Sequence, residues 1–385
     1  MKILMVVEAH VKGAGGGPMY WAQLSEHLVR RGHQVQILSG FKPDSEFVSP
    51  NTVGLIPIRG DLRSRSGWTL LSRYWFRKRF VPVVRTFVEQ WQPDIIHTVP
   101  PIASEAALRA GVALDIPVVA SILSHVEAQW SQLEPNWLRA YLFRQLELRA
   151  IHRPFRRIIC LTRRSQQVLQ AEGIPEARIV YVPHAVDTEK FGSKAVARFR
   201  TQLALSDETF VIGYAGVLSR EKGTFQLFEA MARLANLHNL ALLVAGEPLP
   251  SRRRPLALRK AFRNVYFLGR VEHEDMPAFM ASLDLFIIPS WTETLPTTLL
   301  EALATGVPVM ASAVGGIKEF LKNRLGIILP SPRTEDIVQG LNAWMPRRED
   351  LEAMGQAGQR YVREHHNWKR TSELTEGVYQ ACLKG

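Results

Sequence analysis

Cysteine is almost missing from this chain. Its 385 residues hold two, Cys160 and Cys382, far apart and without partners at metal-ligand spacing. That excludes a disulfide framework and a thiolate zinc site. No Asp-x-Asp occurs at any position, so a short acidic motif that often holds a divalent metal is absent. Long apolar runs are absent too. The start, Met1 to Val7, is apolar for only five residues before Glu8. Such a run suits a first buried strand and is too short for a signal peptide or a membrane span. No internal repeat or low-complexity segment is visible. Hydrophobic residues make up 46% and charged residues 22%, as in a soluble globular protein. A cytoplasmic protein is expected. The length exceeds one ordinary core, so two domains are expected as well.

Acid is scarce relative to base. Lys and Arg number 48 against 36 Asp and Glu, a net charge of +12. Residues 1–194 hold 25 basic and 16 acidic side chains, so most of the excess lies in that half. Two windows dominate. Arg59 to Arg85 has eight basic residues and one acidic, among Trp68, Tyr74, Trp75, Phe76 and Phe80, and Arg139 to Arg164 again has eight and one. Clustered Arg with interleaved aromatics suits nucleic acid, an anionic membrane surface, or plain solvated helix faces. No recognition motif for DNA or RNA accompanies the windows, so nucleic acid is not expected as a partner.

What is present in strength runs from Ser290 to Glu319, S-W-T-E-T-L-P-T-T-L-L-E-A-L-A-T-G-V-P-V-M-A-S-A-V-G-G-I-K-E. The pattern predicts a polar loop, a short helix, a turn, a buried strand and a second glycine turn. Pro296 suits a first helical turn, where its missing N–H costs nothing, and Thr294 or Thr297 can cap. Leu299, Leu300, Leu303 and Ala304 share one helical face, and Gly306 followed by Pro308 stops the helix. Val307 to Ala311 fits a buried parallel strand. Two carboxylates stand out, Glu293 in the loop and Glu301 in the helix. A helix N-terminus offers free N–H groups and partial positive charge to a phosphate. Carboxylates on either side of it can accept hydrogen bonds from hydroxyls, which is the anatomy needed to hold a sugar–diphosphate–nucleoside. Two solvated glutamates are the plain alternative. The whole string weighs against it: E-x7-E, then A-L-A-x-G-x-P-V, then G-G-x-x-E resembles the donor-site signature of the retaining GT-B glycosyltransferases of family 4. The strict form E-G-F-G stands here as Glu293-Thr294-Leu295-Pro296.

The rest of the chain can be taken in order beside that resemblance. Gly13-Ala14-Gly15-Gly16-Gly17-Pro18 follows the first strand, a helical segment runs to Arg31, and Val35 to Leu38 forms a second strand. That βαβ unit lets a ligand approach the backbone but is neither a dinucleotide fingerprint nor a Walker loop. It resembles the family's N-terminal Gly-Gly loop, which makes Gly16 and Gly17 donor-binding candidates. Val84, Phe87, Val88 and Trp91 at helical spacing read as core. Ile116 to Leu123 is a strand, with His125 just past its carboxyl end, where ligands gather in open α/β sheets. A lone His is equally a structural residue. The family's P-V-V-x-T-x-H frame has its His where this chain has Leu123, two residues before His125. Ile179 to Phe191 resembles I-x-V-I-P-N-G-V-D-x-x-x-F, with His184-Ala185 in place of Asn-Gly.

The second half opens with Phe210 to Gly216, then Val217-Leu218-Ser219-Arg220-Glu221-Lys222-Gly223. Lys222 ahead of a helix suits a diphosphate, or it is an ordinary surface lysine. The family's G-R-x-x-x-x-K-G has Arg where this chain has Val217, and Arg220 is the candidate substitute. Val265 to Val271 resembles V-x-F-L-G-x-V, whose backbone near Arg270 and Val271 would bracket the nucleotide base. Ser251 to Arg263 is a further basic stretch, a solvated loop and helix. The last helical region, about 349–384, is expected to break near Gly355 and Asn367.

The resemblance implies an α/β fold of the GT-B kind, two Rossmann-like parallel-sheet domains facing across a cleft. Residues 1–188 would form the acceptor-side domain, with a C-terminal helix about 366–385 packing back on it, and residues 189–365 the donor domain. It implies sugar transfer from a nucleotide-diphosphate sugar to an acceptor hydroxyl with retention and without a metal. Catalytic candidates are then Lys222, Arg220, Glu293 and His125. Donor-binding candidates are Gly16, Gly17, Gly216, Lys222, Arg270, Val271, Glu293, Thr294, Leu295, Pro296, Thr297 and Glu301. The basic windows add an expectation of peripheral attachment to the inner membrane face and of a sugar or lipid-linked glycan as acceptor. A GT-B phosphorylase or epimerase, or a non-catalytic nucleotide-sugar-binding homologue, shares these features.

Overall fold

Short runs rich in Val, Ile and Leu alternate with helical segments along the whole chain, a pattern that builds parallel sheets buried on both faces. The computed structural model describes residues 1–7, 16–39, 52–55, 68–101, 103–123, 136–192, 195–247, 264–322 and 324–384, with the backbone alone at 52–55, 68–79, 139 and 143. The chain divides into two compact units, Met1–Pro183 with Trp368–Gly385, and His184–Asn367.

In the first unit, strands β1 (Lys2–Val7), β2 (Gln34–Ser39), β3 (Thr52–Leu55), β4 (Ile95–Thr98), β5 (Val118–Ile122), β6 (Arg157–Cys160) and β7 (Ile179–Tyr181) pair in the order β3-β2-β1-β4-β5-β6-β7. Every described pairing is parallel, with Ile3 beside both Val35 and Ile95. Around the sheet lie α1 (Gly16–Arg30), α2 (Trp68–Trp91), α3 (Ala103–Ala113), α4 (Trp137–Ile151) and α5 (Arg163–Ala171). Val84 and Val88 of α2 are buried in the core with Leu4, Val6, Ile96, Ala120 and Ile158, and Phe87 and Trp91 pack against it, as the spacing predicts. α1 begins earlier than expected. Gly16 and Gly17 belong to its first turn rather than to a loop, and Pro18 is tolerated there because first-turn N–H groups have no helical partner.

The second unit repeats the plan with β8 (Phe210–Ala215), β9 (Leu240–Ala245), β10 (Val265–Gly269), β11 (Leu285–Ile288), β12 (Val309–Ser312) and β13 (Ile327–Leu329), ordered β10-β9-β8-β11-β12-β13. The order reverses between β8 and β11, so the loops after these two strands open side by side at the carboxyl edge of the sheet. That is where an open α/β sheet offers a crevice to a ligand. The described helices are α6 (Arg198–Gln202), α7 (Thr224–Arg233), α8 (Met276–Ala281), α9 (Thr297–Thr305), α10 (Gly315–Leu321), α11 (Thr334–Trp344) and α12 (Arg348–His365).

The expected break near Gly355 does not occur; α12 runs through it. Gly355 serves contact instead. A Cβ there would stand 2.0 Å from the carbonyl oxygen of Gly306, so the missing side chain lets α12 close on the turn that ends α9. Asn367 does mark a break, after which α13 (Trp368–Lys384) belongs to the first unit. There Arg31 holds Glu376 at 2.6 Å and Glu373 at 3.2 Å. Beneath these exposed pairs, the Tyr379 hydroxyl lies 2.6 Å from Nδ1 of His97, whose Nε2 meets Ser121 Oγ at 2.7 Å. Burial pushes the pKa of His97 down to about 3, so a neutral imidazole stitches α13 to β4 and β5.

Candidate active site

The loop after β8 and the loop after β11 are joined by three contacts within the second unit. The Trp291 N–H donates to the Glu221 carbonyl at 2.8 Å. Nζ of Lys222 lies 2.6 Å from Oε1 of Glu293, which also accepts a 2.9 Å bond from Ser290 Oγ. Gly223 has φ +65°, and a Cβ on it would stand 1.7 Å from the Pro289 carbonyl oxygen, so glycine alone fits where the loops cross. Two candidates named from separate motifs, Lys222 and Glu293, are thus an ion pair. Glu293 is largely buried and Lys222 is partly open to solvent. A ligand carrying negative charge would meet the ammonium where it can still swing toward the solvent side.

The backbone of the Glu293 loop is fixed from the other side by the second glycine pair. Gly315 has φ +52°, and a Cβ there would come within 1.8 Å of the Glu293 carbonyl oxygen. The Gly316 N–H donates to the Thr294 carbonyl at 2.7 Å. These glycines, expected to form a turn after the buried strand, are the first two residues of α10. Behind Lys222, buried Tyr214 donates its hydroxyl to the Val217 carbonyl at 2.9 Å, which pins the Gly216–Val217 corner. Burial, and next the charge of Glu293, push the Tyr214 phenol well above its ordinary pKa, so it stays a donor.

Helix α9 starts differently from the expectation. Pro296 occupies its N-cap position, and neither Thr294 nor Thr297 makes a side-chain cap. Thr297 Oγ1 lies 3.2 Å from Nε2 of His184 instead. The Ala185 N–H donates to Nδ1 of His184 at 2.8 Å, which leaves Nε2 to carry the proton and donate to Thr297. Burial, with a contribution from His366, lowers the pKa of His184 to about 4, so the neutral ring is the resident form. With no side-chain cap hydrogen bond at its start, α9 keeps the partial positive charge of its first turn for a ligand.

One turn into α9, Glu301 is 5% exposed. Burial raises its carboxyl pKa to about 7, against an opposing pull from Lys190. His273 Nδ1 is 4.0 Å away, and burial holds that ring below its usual pKa. No hydrogen bond from a described residue reaches the Glu301 carboxylate. A buried acceptor of this kind is costly unless a ligand brings hydroxyl donors to it.

The remaining candidates spread around this centre. Gly216 sits at the end of β8, where its N–H donates to Ala245 O at 2.9 Å, and Gly246 N–H donates to Gly269 O at 2.7 Å, so the turns after β8, β9 and β10 are laced together. Arg270 follows β10 as an exposed side chain paired with Glu272 at 3.0 Å, while Val271 packs against the core. Leu295 is buried in the same core. Arg220 is exposed, and Val217 is exposed as well, so the chain leaves open space where the family motif has Arg. Gly16 and Gly17 belong to the first unit, with open space within 4 Å of a Cβ on Gly17. His125 and the 251–263 stretch lie outside the described residues. Ser290, Tyr214, His184 and His273 are additions that the motifs did not single out. Of these, only His184 had a visible signal, as the departure from Asn. Among the described residues, no three His, Cys, Asp or Glu side chains gather in a way that could hold a metal ion.

Known proteins match this chain from end to end. Residues 196–361 match the family model for Glycosyl transferases group 1, and residues 14–190 match that for Glycosyltransferase Family 4. An uncharacterized glycosyltransferase of Methanocaldococcus jannaschii is 24% identical over 100% of this chain and 99% of its own. Sucrose-phosphate synthase from Thermosynechococcus elongatus superposes with a TM-score of 0.85 at 20% identity, covering 100% of this chain and 99% of its own. HepE of Anabaena, solved with UDP-glucose, superposes with a TM-score of 0.76 at 17% identity, over 99% and 100%. The solved structures are GT-B glycosyltransferases, and at these identities the likeness is one of fold.

Proposed function

The chain belongs to the GT-B glycosyltransferases of family 4, and on that premise we propose that it moves a sugar from a nucleotide-diphosphate sugar to an acceptor hydroxyl, with retention and without a metal. The observation that carries this reading is the Lys222–Glu293 pair set beside the uncapped start of α9, with buried Glu301 one turn below. In this reading the diphosphate lies at the α9 N-terminus, Glu301 accepts from the ribose hydroxyls, and Glu293 accepts from the sugar. Lys222 then exchanges part of its contact with Glu293 for the diphosphate. Its charge matters most in the transition state, when the bond from the anomeric carbon to the phosphate oxygen breaks and negative charge grows on the leaving group. The acceptor oxygen bonds the anomeric carbon from the same face, and its proton passes to the departing phosphate oxygen. Arg270 and Val271, past β10, border the base, and Gly216 leaves its backbone open to the phosphates. Exposed Arg220 stands in for the family arginine that Val217 replaces.

The acceptor side is proposed from charge. The excess of base in residues 1–194 suits a lipid-linked or envelope glycan on an anionic inner membrane face, with peripheral attachment. No helix among the described residues is long and apolar enough to cross a membrane. One rival is favoured by a specific residue: Val217 in place of Arg suits a homologue that binds a nucleotide sugar without turning it over.

Mass-spectrometric identification of a nucleotide sugar co-purifying with the protein, followed by assay of that donor with candidate acceptors, tests both readings. Release of free nucleoside diphosphate only when acceptor is present supports transfer. Binding without release supports the rival. Calorimetry that finds no binding of uracil-, guanine- or adenine-based donors would remove the donor site altogether.

A further inference from the structure

Helix α4 of the first unit presents an apolar face to solvent, where the outward face of a surface helix is ordinarily polar. Trp137 is 78% exposed, Leu138 49%, Tyr141 56%, Leu142 46% and Leu146 41%. At 3.6 residues per turn these five side chains occupy one half of the helix, and exposed Arg149 lies among them. The opposite half is the one that packs inward, through buried Ala140, Ala150 and Ile151. The helix has one acidic residue, Glu147, which lies on the inward side and approaches Arg144 at 3.9 Å. The outward face therefore combines bulky apolar groups with positive charge and carries no carboxylate.

We infer that this face of α4 is the surface by which the protein rests on an anionic lipid membrane. The inference deepens the membrane part of the proposed function and rests on it: it names the element that touches the lipid. Charge complementarity selects the occupant: exposed Arg149 stands among the apolar side chains, the one acid of the helix lies inward, and the surrounding stretch 139–164 holds eight basic residues against one acidic. Trp137 and Tyr141 bring the ring types that sit at the headgroup boundary, and the leucines supply area to bury beneath it. The helix is 15 residues, about 22 Å long, and its buried side is tied to the unit, so it lies in the plane of the interface rather than across it. A second copy of the chain is a poorer occupant, because both copies carry a net charge of +12.

The test uses the whole chain and vesicles of phosphatidylcholine, with or without phosphatidylglycerol. Wild type should pellet with the anionic vesicles at low salt and be released as salt rises. A variant carrying Leu138→Ser, Tyr141→Ser, Leu142→Ser and Leu146→Ser should bind about tenfold more weakly or worse, with unchanged thermal melting because the four side chains are exposed. If that variant pellets as wild type does, the inference falls while the membrane reading stands. If wild type never pellets, even at low salt, both fall. Loss of a wild-type dimer in the variant, without vesicle binding, would assign the face to self-association and overturn the inference. A second readout does not depend on the fourfold change. Cys160 and Cys382 are both buried, so Leu142→Cys takes a polarity-sensitive dye selectively. Its emission should shift to the blue on anionic vesicles, and an unshifted dye on protein that pellets refutes the placement.

Discussion

Replacing Glu301 with glutamine should stabilise the empty protein and weaken its hold on the donor. Glutamine keeps the shape of the side chain and removes the charge. In the folded protein burial raises the Glu301 carboxyl from 4.5 to about 7. Between those values the folded state binds a proton that the unfolded state does not. Glu301 therefore contributes its stability fully below pH 4.5, and that contribution is lost as pH rises through 7. Above pH 7 the buried carboxylate is ionised at a cost of about 3 kcal/mol. Glu301→Gln should relieve most of that at pH 8 and almost none near pH 4.5. For a unit running from His184 to Asn367, about 3 kcal/mol corresponds to a rise of roughly 6–12 °C in the melting temperature. Melting curves of both proteins at pH 8 and pH 5 measure it directly. A difference that does not change with pH, or a destabilised variant at pH 8, would refute the electrostatic reasoning. Donor calorimetry supplies the second half. Loss of a charged acceptor for the ribose hydroxyls should cost about 1–3 kcal/mol of affinity. Unaltered binding in Glu301→Gln would take Glu301 out of the site.

The other expectations follow from neighbouring contacts. Lys222→Ala should lower kcat by about 100- to 1000-fold while donor Kd changes far less, and equal losses in the two would show that Lys222 serves ground-state binding. Turnover should persist in chelator; activity lost there and restored by a divalent metal would sink the metal-free mechanism. His184→Ala should weaken donor binding about tenfold or less by freeing Thr297 at the start of α9, and His184→Asn, the residue usual in the family, should recover most of it. Identical behaviour of those two variants would reduce His184 to a space-filling role. Gly315→Ala should cost about 1–3 kcal/mol of stability and loosen the Glu293 loop, because its Cβ has no room beside the Glu293 carbonyl. Wild-type melting and donor affinity in that variant would show that the loop yields without consequence.

β1, β2, β5 and β12 were legible because β-branched and aliphatic runs between turn residues leave little choice for a segment buried on both faces. β3 was not: Thr52–Leu55 is a four-residue edge strand with glycine inside it, and nothing in its pattern exceeds that of a loop. The glycines were legible as glycines but not in their reasons. Gly355 was expected to break a helix, yet the approach of Gly306 in space makes it a point of helix contact. Thr297 was expected to cap because hydroxyl side chains favour helix starts, yet a histidine 113 residues earlier in the chain claims it.

The sequence by itself determined the kinds of element, their order and the motifs that resemble a donor-site signature, because propensity, periodicity and glycine placement act over a few residues. Only the tertiary structure decided which motif residues touch. Lys222 and Glu293 are 71 residues apart and meet because the strand order sets β8 beside β11. Only the tertiary structure decided which half of α4 faces water. The 3.6-residue period tells which side chains share a face, and with apolar groups around the whole helix it gives no sign of which face the sheet covers. Burial of Glu301 has the same origin: a glutamate reads as polar in any sequence, and its raised pKa comes from the residues that close around it once the chain is folded.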